Sequence, residues 1–414
     1  MDPYVARQPI FDHKRGVYGY ELLFRSGPEN CYDASVDGDT ATSSLMSDTV
    51  GVHGLEELTA GKKVFVNVTE KIIVSGLYTL FPPGQTVIEL LETVEMTDEV
   101  CEACREVRRR GYLLALDDYV GDACFDCILD EIDILKVDFA ETDPDQRKKL
   151  AQCLEGKQFT LLAEKVETQE EFQEAVDLGY SYMQGYFFCK PEMFKGAALP
   201  SFKLNCLQFL QQINQPDIDL DELEQIILRD VSLSYRLLKL LNSAALGVRN
   251  KVNSVKHAMV LLGDVQLRKW ASLIALTNLG ADKPTELLIT SLFRGRFCES
   301  LGRAAGMTGC ELNLFLLGMF SVLDAMIDRP MDEAMDQLPL GADILDTLAG
   351  RPTPLTDVYE LVLSFEMGKW DRIGCIGHDL AIEDQEVARL YQDAILWAQR
   401  VLGSQQADAM RKAS

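Results

Sequence analysis

The chain has 414 residues, of which 47% are hydrophobic, so it is long and apolar enough for two domains with sizeable cores. Its formal net charge is −25, which disfavours broad electrostatic binding to nucleic acid polymers or to anionic membranes. No uncharged apolar run reaches the length of a membrane span and no signal peptide is recognisable, so we expect a cytoplasmic protein.

The first half of the chain alternates short apolar, β-branched runs with helical stretches, which is typical of an α/β fold with a mostly parallel sheet. Eight candidate strands can be read, the number that closes a (β/α)8 TIM-like barrel. In chain order they are VARQPIF, GYELLF, KVFVNV, TVIELL, LLALDD, ILKVD, TLLAEKV and YMQGYFF. Only DHKRG separates the first two, too short for a parallel crossover, so we predict a hairpin and one antiparallel strand.

The pattern changes in the stretch from Pro191 to Pro200. Beyond it, helical periodicity dominates and strand signals almost disappear. We therefore predict a barrel domain over residues 1–195 and an all-helical domain over residues 200–400.

Acidic or amide residues stand at or near the ends of several of the predicted strands, where the side chains of a β/α barrel converge on one site. These residues are Glu21, Asn67, Glu89, Asp117, Asp118 and Glu164. Their oxygen atoms suit hard divalent cations such as Mg²⁺ or Mn²⁺, which predicts metal-dependent phosphate chemistry. A glycosidase with facing carboxylates is an alternative, but Lys136, Asn67 and the Asp-Asp pair fit a metal-phosphate site better.

Four of the eleven cysteines form two CxxC pairs separated by nineteen residues: Cys101, Cys104, Cys124 and Cys127. This spacing fits a zinc site. However, CEACREVRRRG is typical of an amphipathic helix, and the strand LLALDD lies between the two pairs. We interpret the cysteines as small apolar helix residues, with zinc as the alternative that a metal assay would detect.

Eight short motifs in the first half occur in an order that identifies a family. They are QPIFD, YGYELLFR, FVNV, VIELLE, ALDDY, ILKVD, AEKVE and QGYFF. Over roughly residues 1–195 the chain resembles an EAL domain, the phosphodiesterase module that hydrolyses cyclic di-GMP. The resemblance implies a bacterial signal-transduction protein that acts on this dinucleotide.

The resemblance also assigns metal ligands. It implies that Glu21, Asn67, Glu89 and Asp117 hold one Mg²⁺ or Mn²⁺ ion, and that Asp117 and Asp118 help to hold a second. Two such ions would clamp the attacking and leaving oxygens of an in-line displacement at phosphorus.

The remaining site residues follow from the same motifs. Glu164 matches the general base, and Lys136 would position the nucleophile or neutralise charge on the phosphoryl oxygens. Arg25 matches a contact to phosphate or guanine, which its fork of donors suits. Gln8 and Gln184 match positions near the ligand.

Two further glutamates match the EAL motifs, and three residues differ from them. Glu92 and Glu167 match glutamates that support adjacent loops. Leu22 replaces a small alanine, Val120 replaces a loop glycine, and Lys165 replaces the glycine after the base. We expect the loop around Val120 to rearrange and Lys165 to pair with a nearby carboxylate. Hydrolysis to the linear dinucleotide, binding as an inactive receptor, and a protein-interaction scaffold therefore stay open as alternatives.

The second half resembles an HDOD domain over roughly residues 200–390, on the segments IILRDVSLSYRLLKLLNSAALG and VNSVKHAMVLLGDVQLRKW. Its only histidines are His257 and His378, too few for the metal cluster of the related HD phosphohydrolases. We expect a regulatory or output module whose protein partners the sequence does not identify. The EAL resemblance also suggests a homodimer formed through the barrel.

Overall fold

The computed structural model describes residues 4–25, 52–121, 125, 127–154, 159–192, 199–215, 217–229, 237, 254–336 and 338–413. Cys124 and most of the segment IILRDVSLSYRLLKLLNSAALG, residues 226–247, lie outside the described residues. The side chain of Arg25 also lies outside them, although its backbone is described.

The first half of the chain forms a closed barrel whose eight strands, β1 to β8, follow one another in chain order. The strands are Tyr4–Asp12, Val17–Arg25, Lys63–Val68, Thr86–Leu90, Leu113–Leu116, Ile134–Asp138, Thr160–Glu164 and Tyr182–Gln184. Strand β1 is antiparallel to both β2 and β8, and the other neighbouring pairs are parallel. The predicted barrel with one antiparallel strand is therefore confirmed.

The last predicted strand, YMQGYFF, was too long. Strand β8 ends at Gln184, and Gly185 has a φ of 144°, outside the strand region. Phe187–Cys189 then form a 3₁₀ turn. The apolar run after the glycine therefore leaves the sheet, and the rings of Phe187 and Phe188 pack against Phe11.

Helices lie between most of the parallel strands. They are α1 Val52–Thr59, α2 Glu70–Ser75, α3 Asp98–Arg109, α4 Pro144–Leu154 and α5 Gln169–Asp177. The side chain of Thr168 accepts a hydrogen bond from the N–H of Glu171 and forms a capping box with it, which explains why α5 begins there.

The inside of the barrel consists of two layers because side chains along a strand alternate between its faces. The lower layer is the apolar cluster Ile10, Phe65, Val87, Ala115, Ile134 and Leu162. Residues two positions away along the same strands are polar: Gln8, Asn67, Glu89, Asp117, Lys136 and Glu164. The polar side chains therefore form a second layer that lies directly next to the apolar layer inside the barrel.

From residue 199 onward the described residues contain helices and no strand, which confirms the predicted all-helical half. The helices α6 to α11 are Ser201–Ile213, Leu220–Arg229, Val255–Leu279, Thr285–Ala304, Glu311–Phe320 and Leu323–Ile327. The helices α12 to α16 are Met331–Met335, Ala342–Leu348, Thr356–Glu366, Trp370–Asp379 and Asp384–Ala413. Helix α8 is interrupted at Gly263, whose φ of 72° is not helical.

The chain divides into two compact units. One comprises Met1–Lys190 together with Glu360–Arg400, and the other comprises Pro191–Tyr359 and Val401–Ser414. The barrel therefore shares its unit with a segment that lies far along the chain. The domain boundaries predicted from the sequence, residues 1–195 and 200–400, stay a proposal.

The segment Glu360–Arg400 contacts strands β1 and β2 directly. The backbone N–H of Arg7 donates to the hydroxyl of Tyr391 at 3.0 Å. Gly368 lies so close to Leu23 that a Cβ atom at that glycine would stand 2.9 Å from Leu23 Cδ1. These contacts hold the late segment against the first hairpin of the barrel.

Among the helices in the described ranges, none combines the length and the apolar character that crossing a membrane requires.

Candidate active site

Four carboxylates surround the buried ammonium group of Lys136. Its Nζ lies 2.7 Å from Glu164 Oε1, 2.9 Å from Asp117 Oδ1 and 3.9 Å from Glu21 Oε2, and it also forms an ion pair with Glu89. The Lys136 side chain is 1% exposed, so water screens these charges poorly. The carboxylates outnumber the single ammonium, which leaves the pocket able to accept further positive charge.

The pKa values of these groups reflect the same excess of carboxylates over ammonium groups. Burial raises the pKa of Glu89 and Glu164 well above the ordinary range, and the neighbouring carboxylates raise it further, against the opposing effect of Lys136. Burial alone would lower the pKa of Lys136, but the surrounding carboxylates raise it well above its usual value. A cation bound among these carboxyl groups would favour their ionised form.

Two amide side chains hold both oxygens of Glu21. Asn67 Nδ2 donates to Glu21 Oε1 at 2.8 Å, and Gln184 Nε2 donates to Glu21 Oε2 at 2.6 Å. The same Gln184 nitrogen lies 3.2 Å from Gln8 Oε1, and Gln8 Nε2 donates to the carbonyl of Glu366 at 3.2 Å. A chain of hydrogen bonds thus connects Glu21 to the last residue of helix α14.

Three buried oxygen atoms in the pocket accept no hydrogen bond from the described residues: Asn67 Oδ1, Glu89 Oε2 and Gln184 Oε1. Buried acceptors of this kind are uncommon unless water or an ion satisfies them. Amide and carboxylate oxygens are the ligands that Mg²⁺ and Mn²⁺ prefer. The residues present therefore fit a hard divalent cation.

The carboxylates form two groups that could each hold an ion. Glu21, Glu89 and Glu164 are buried, and one oxygen of each lies within 4.8 Å of the others.

The second group, Glu92, Asp117 and Asp118, meets the same distance criterion and is more exposed. Burial, followed by the charge of Asp117, raises the pKa of Asp118 to about 6. We predicted Glu92 as a loop-supporting residue, and the fold also brings it beside the Asp-Asp pair. Its place after β4 in TVIELLE is the only sequence signal of this contact.

Comparison with known proteins agrees with the two halves of the fold. A family model for the EAL domain matches residues 62–191, and one for the HDOD domain matches residues 199–327. The uncharacterized protein YuxH of Bacillus subtilis is 34% identical over 410 residues, which cover 97% of this chain and 99% of YuxH. The chain belongs to the EAL–HDOD family.

A second relative of this EAL–HDOD protein is the cyclic di-GMP phosphodiesterase CdgJ of Vibrio cholerae. It is 34% identical over 403 residues, which cover 96% of this chain and 93% of CdgJ. Among solved structures, BlrP1 of Klebsiella pneumoniae, in a complex with calcium and cyclic di-GMP, is 23% identical with a TM-score of 0.38. That match covers 45% of this chain and 55% of BlrP1.

Lys165, the first departure from the EAL motifs, occupies a backbone conformation that suits glycine. Its φ is 53°, in the left-handed region. Its ammonium group forms an ion pair with Asp138, so the expected pairing with a nearby carboxylate is present. The lysine therefore occupies a left-handed turn that glycine adopts more readily, and it adds a cation one residue after Glu164.

The other two departures lie away from the pocket or on its rim. Leu22 is fully buried and pairs with Arg7 across the hairpin, and strand alternation places its side chain on the opposite face of β2 from Glu21. Val120 is 58% exposed. Positive φ values occur nearby at Asp118 and Gly121 rather than at Val120, so the loop makes its turn with other residues.

Of the predicted site residues, Glu167 lies apart from the cluster, and the side chain of Arg25 is outside the described part of the chain. The backbone of Arg25 ends β2 opposite Tyr4, and its side chain is outside the described part of the chain. Glu167 is exposed, and its N–H donates to Glu171 Oε2 at 2.8 Å at the start of α5. Its loop-supporting role stays a prediction.

The histidines of the helical half lie at its surface. His378 is 91% exposed and lies 3.7 Å from Asp379, and His257 is also exposed. Among the described residues, neither belongs to a group of potential metal ligands. That this half lacks an HD-type metal centre stays an expectation from the sequence.

Proposed function

We propose that this protein binds cyclic di-GMP at the mouth of the barrel and hydrolyses it to the linear dinucleotide with Mg²⁺ or Mn²⁺. The observation that carries the proposal is the convergence of four carboxylates on Lys136 in a pocket with unsatisfied buried oxygens. The 34% identity to CdgJ over nearly the whole chain supports the choice of substrate.

Each residue has a role that its position supports. Glu164 would accept the proton of the attacking water, and Lys136, 2.7 Å away, holds its carboxylate in place. Asn67 and Gln184 orient Glu21 through their hydrogen bonds. Divalent cations, when bound, would polarise the phosphodiester and lower the pKa of the water. Lys136 would also offset negative charge that develops on the phosphoryl oxygens.

The direct test incubates the full chain with cyclic di-GMP and Mn²⁺ and separates the products by chromatography. We expect Glu164→Gln to lower kcat by about 10²–10⁴-fold while dinucleotide binding persists, because the amide cannot take the proton. Glu170→Gln is the matched control, since Glu170 is exposed and outside the cluster. Unchanged turnover in Glu164→Gln would refute the assigned base.

A receptor that binds cyclic di-GMP without turnover is the second candidate. The observation that favours it is the Lys165–Asp138 ion pair, which places a cation next to the residue assigned as base. Calorimetric binding of the dinucleotide to wild-type protein, combined with no linear product in the presence of Mn²⁺ or Mg²⁺, would select this function over hydrolysis.

The helical half is proposed to regulate or report the state of the barrel, and a homodimer through the barrel is proposed as its assembly. The hydrogen-bond chain from Glu21 to Glu366 supports communication between the pocket and helix α14. Light scattering of the purified protein with and without cyclic di-GMP tests the dimer directly.

A further inference from the structure

The side chain of Gln8 on strand β1 lies between the end of helix α14 and the acidic pocket. Its Nε2 donates to the carbonyl oxygen of Glu366 at 3.2 Å, and its Oε1 accepts from Gln184 Nε2 at 3.2 Å. Gln184 Nε2 also donates to Glu21 Oε2 at 2.6 Å. Gln8 therefore connects a carboxylate of the pocket with a helix that lies far along the chain.

The carbonyl of Glu366 sets the orientation of both amides. A carbonyl oxygen only accepts hydrogen bonds, so Gln8 turns its nitrogen toward Glu366 and its oxygen toward Gln184. The two hydrogens of Gln184 Nε2 are then directed at Gln8 Oε1 and Glu21 Oε2. The remaining polar atom, Gln184 Oε1, is buried and accepts no hydrogen bond from the described residues. Contact with α14 therefore fixes how Gln184 holds Glu21 and keeps a buried oxygen available as an acceptor.

The turn that ends α14 holds the carbonyl of Glu366 in place. Gly368 has a φ of 65°, and the N–H groups of Gly368 and Lys369 donate to carbonyls of the last helical turn at 3.1 and 2.9 Å. This pair of bonds is the Schellman motif, in which glycine is the favoured residue. A Cβ atom at Gly368 would also stand 2.9 Å from Leu23 Cδ1 on strand β2. The turn therefore packs against the strand that carries Glu21.

We propose that Gln8 is a positioning residue through which the end of α14 raises the affinity of the acidic pocket for a divalent cation. Groups that orient a metal-binding side chain contribute to metal affinity without touching the ion. Gln184 orients Glu21, and Gln8 orients Gln184, so loss of the contact with Glu366 weakens the hold on that carboxylate. The inference rests on the proposed cation site, but it does not depend on whether the pocket hydrolyses its ligand.

A second contact between the same segment and β1 separates this role from packing alone. Tyr391 accepts a hydrogen bond from the backbone N–H of Arg7 at 3.0 Å. Arg7 precedes Gln8, and strand alternation turns their side chains to opposite faces of β1. Tyr391→Phe therefore removes one hydrogen bond between Glu360–Arg400 and the barrel but leaves the chain from Glu366 to Glu21 complete.

The test measures Mn²⁺ affinity by calorimetry in the full chain, together with the melting temperature of the metal-free protein. Gln8→Met and Tyr391→Phe each remove hydrogen bonding between the segment and β1, so both should lower the melting temperature slightly. Only Gln8→Met should weaken Mn²⁺ binding, by about fivefold.

Equal Mn²⁺ affinity in the wild type and Gln8→Met would overturn the role of Gln8 and leave the cation site standing. An equal loss of affinity in Tyr391→Phe would also overturn it, because packing of the segment would then be the cause. If the wild type itself takes up no Mn²⁺, the proposed cation site is wrong and this inference is wrong with it.

A double-mutant cycle tests whether α14 acts through Gln8. Gly368→Val should displace the end of α14, because a β-branched residue is strained at a φ of 65° and its side chain would meet Leu23. We expect it to weaken Mn²⁺ binding about as much as Gln8→Met, and the double variant to weaken it no further. Fold losses that multiply in the double variant would show that α14 and Gln8 act independently, which would overturn the proposal.

Gly350→Val is the matched control for the glycine variant. Gly350 ends helix α13 with a φ of 74°, and nothing lies within 4 Å of its added Cβ. This variant carries the same backbone strain without the contact to β2, so its Mn²⁺ affinity should equal that of the wild type. If Gly368→Val fails to fold, the comparison of Gln8→Met with Tyr391→Phe decides alone.

Discussion

Lys136 offsets part of the negative charge at the barrel mouth. Its Nζ contacts Glu89, Asp117 and Glu164 within ion-pair distance, and no solvent reaches the group to a useful extent. Removing one partner of such a buried network leaves uncompensated charge, which is more costly than losing a surface ion pair. The stability of the folded barrel and its affinity for cations should therefore both depend on this side chain.

Lys136→Met keeps most of the side-chain volume and removes the charge. We expect the free energy of unfolding to fall by about 3–5 kcal/mol, measured by urea denaturation. Mn²⁺ should restore part of the loss because it binds the folded state only. Lys148→Met, at an exposed position, is the control. A loss below about 0.5 kcal/mol for Lys136→Met would contradict this account.

Lys165 tests the backbone conformation separately from the charge. Both Lys165→Gly and Lys165→Ala remove the ion pair with Asp138, but only glycine adopts a φ of 53° without strain. We expect the glycine variant to be more stable than the alanine variant by about 1 kcal/mol in chemical denaturation. Equal stability of the two variants would argue against a left-handed conformation at this position.

At the residue scale, the sequence predicted which side chains enter the pocket but not which of them touch. The two-residue alternation of strands explains why Asn67, Glu89 and Glu164 face inward once the barrel is assumed. The contact of Gln8 with Glu366 joins residues 358 positions apart, and no local pattern encodes it. The grouping of Glu92 with the Asp-Asp pair depends in the same way on loop geometry.

At the scale of elements, the turn after β8 fixes the loop that follows Glu164. Gly185 has a φ of 144°, and a Cβ atom there would stand 2.1 Å from the carbonyl oxygen of Val166 and 2.5 Å from its nitrogen. Val166 N–H also donates to the carbonyl of Gln184 at 2.9 Å. The two connections at the top of β7 and β8 therefore hold each other in place.

Gly185→Ala should displace Val166 and, with it, the end of β7 that carries Glu164. We expect a loss of stability of at least about 2 kcal/mol and a loss of Mn²⁺ binding, measured by thermal unfolding and calorimetry. Gly179→Ala is the matched control, since its φ of 87° is also positive but nothing lies within 4 Å of its added Cβ. If both variants lose Mn²⁺ binding equally, crowding against Val166 is not the cause.

The sequence predicted the elements best where its signals were local. The five-residue turn DHKRG was too short for a crossover, and the hairpin between β1 and β2 follows from that alone. The last strand was overestimated because apolar and aromatic residues continue beyond Gln184 in YMQGYFF. The close approach of Gly185 to Val166, which accompanies the end of the strand, is a tertiary contact. The grouping of helices α15 and Asp384–Arg400 with the barrel likewise has no local signal.

At the scale of the whole molecule, the barrel shares a compact unit with Glu360–Arg400. Tyr391, Gly368 and Glu366 contact the first hairpin through a hydroxyl, a close backbone approach and a carbonyl. A fragment of residues 1–195 would lack these three residues. The parts of β1 and β2 that they contact would then be exposed to water. The barrel of the full chain should therefore be more stable than the barrel alone.

We expect the fragment 1–195 to unfold at a lower temperature than the full chain and to self-associate, as measured by calorimetry and size-exclusion chromatography. Tyr391→Phe in the full chain is the control, because it removes one hydrogen bond worth about 1 kcal/mol and keeps the segment. A monodisperse fragment with an unchanged melting temperature would show that Glu360–Arg400 contributes nothing to the barrel.

The order of protein synthesis gives the divided unit a further consequence. The ribosome completes all eight strands of the barrel about 170 residues before it makes the start of the segment Glu360–Arg400 that packs on them. During that interval the surface of the first hairpin that contacts this segment is exposed to solvent. The same division limits domain exchange. A barrel transferred to another protein as one continuous segment would lack the Glu360–Arg400 part of its compact unit.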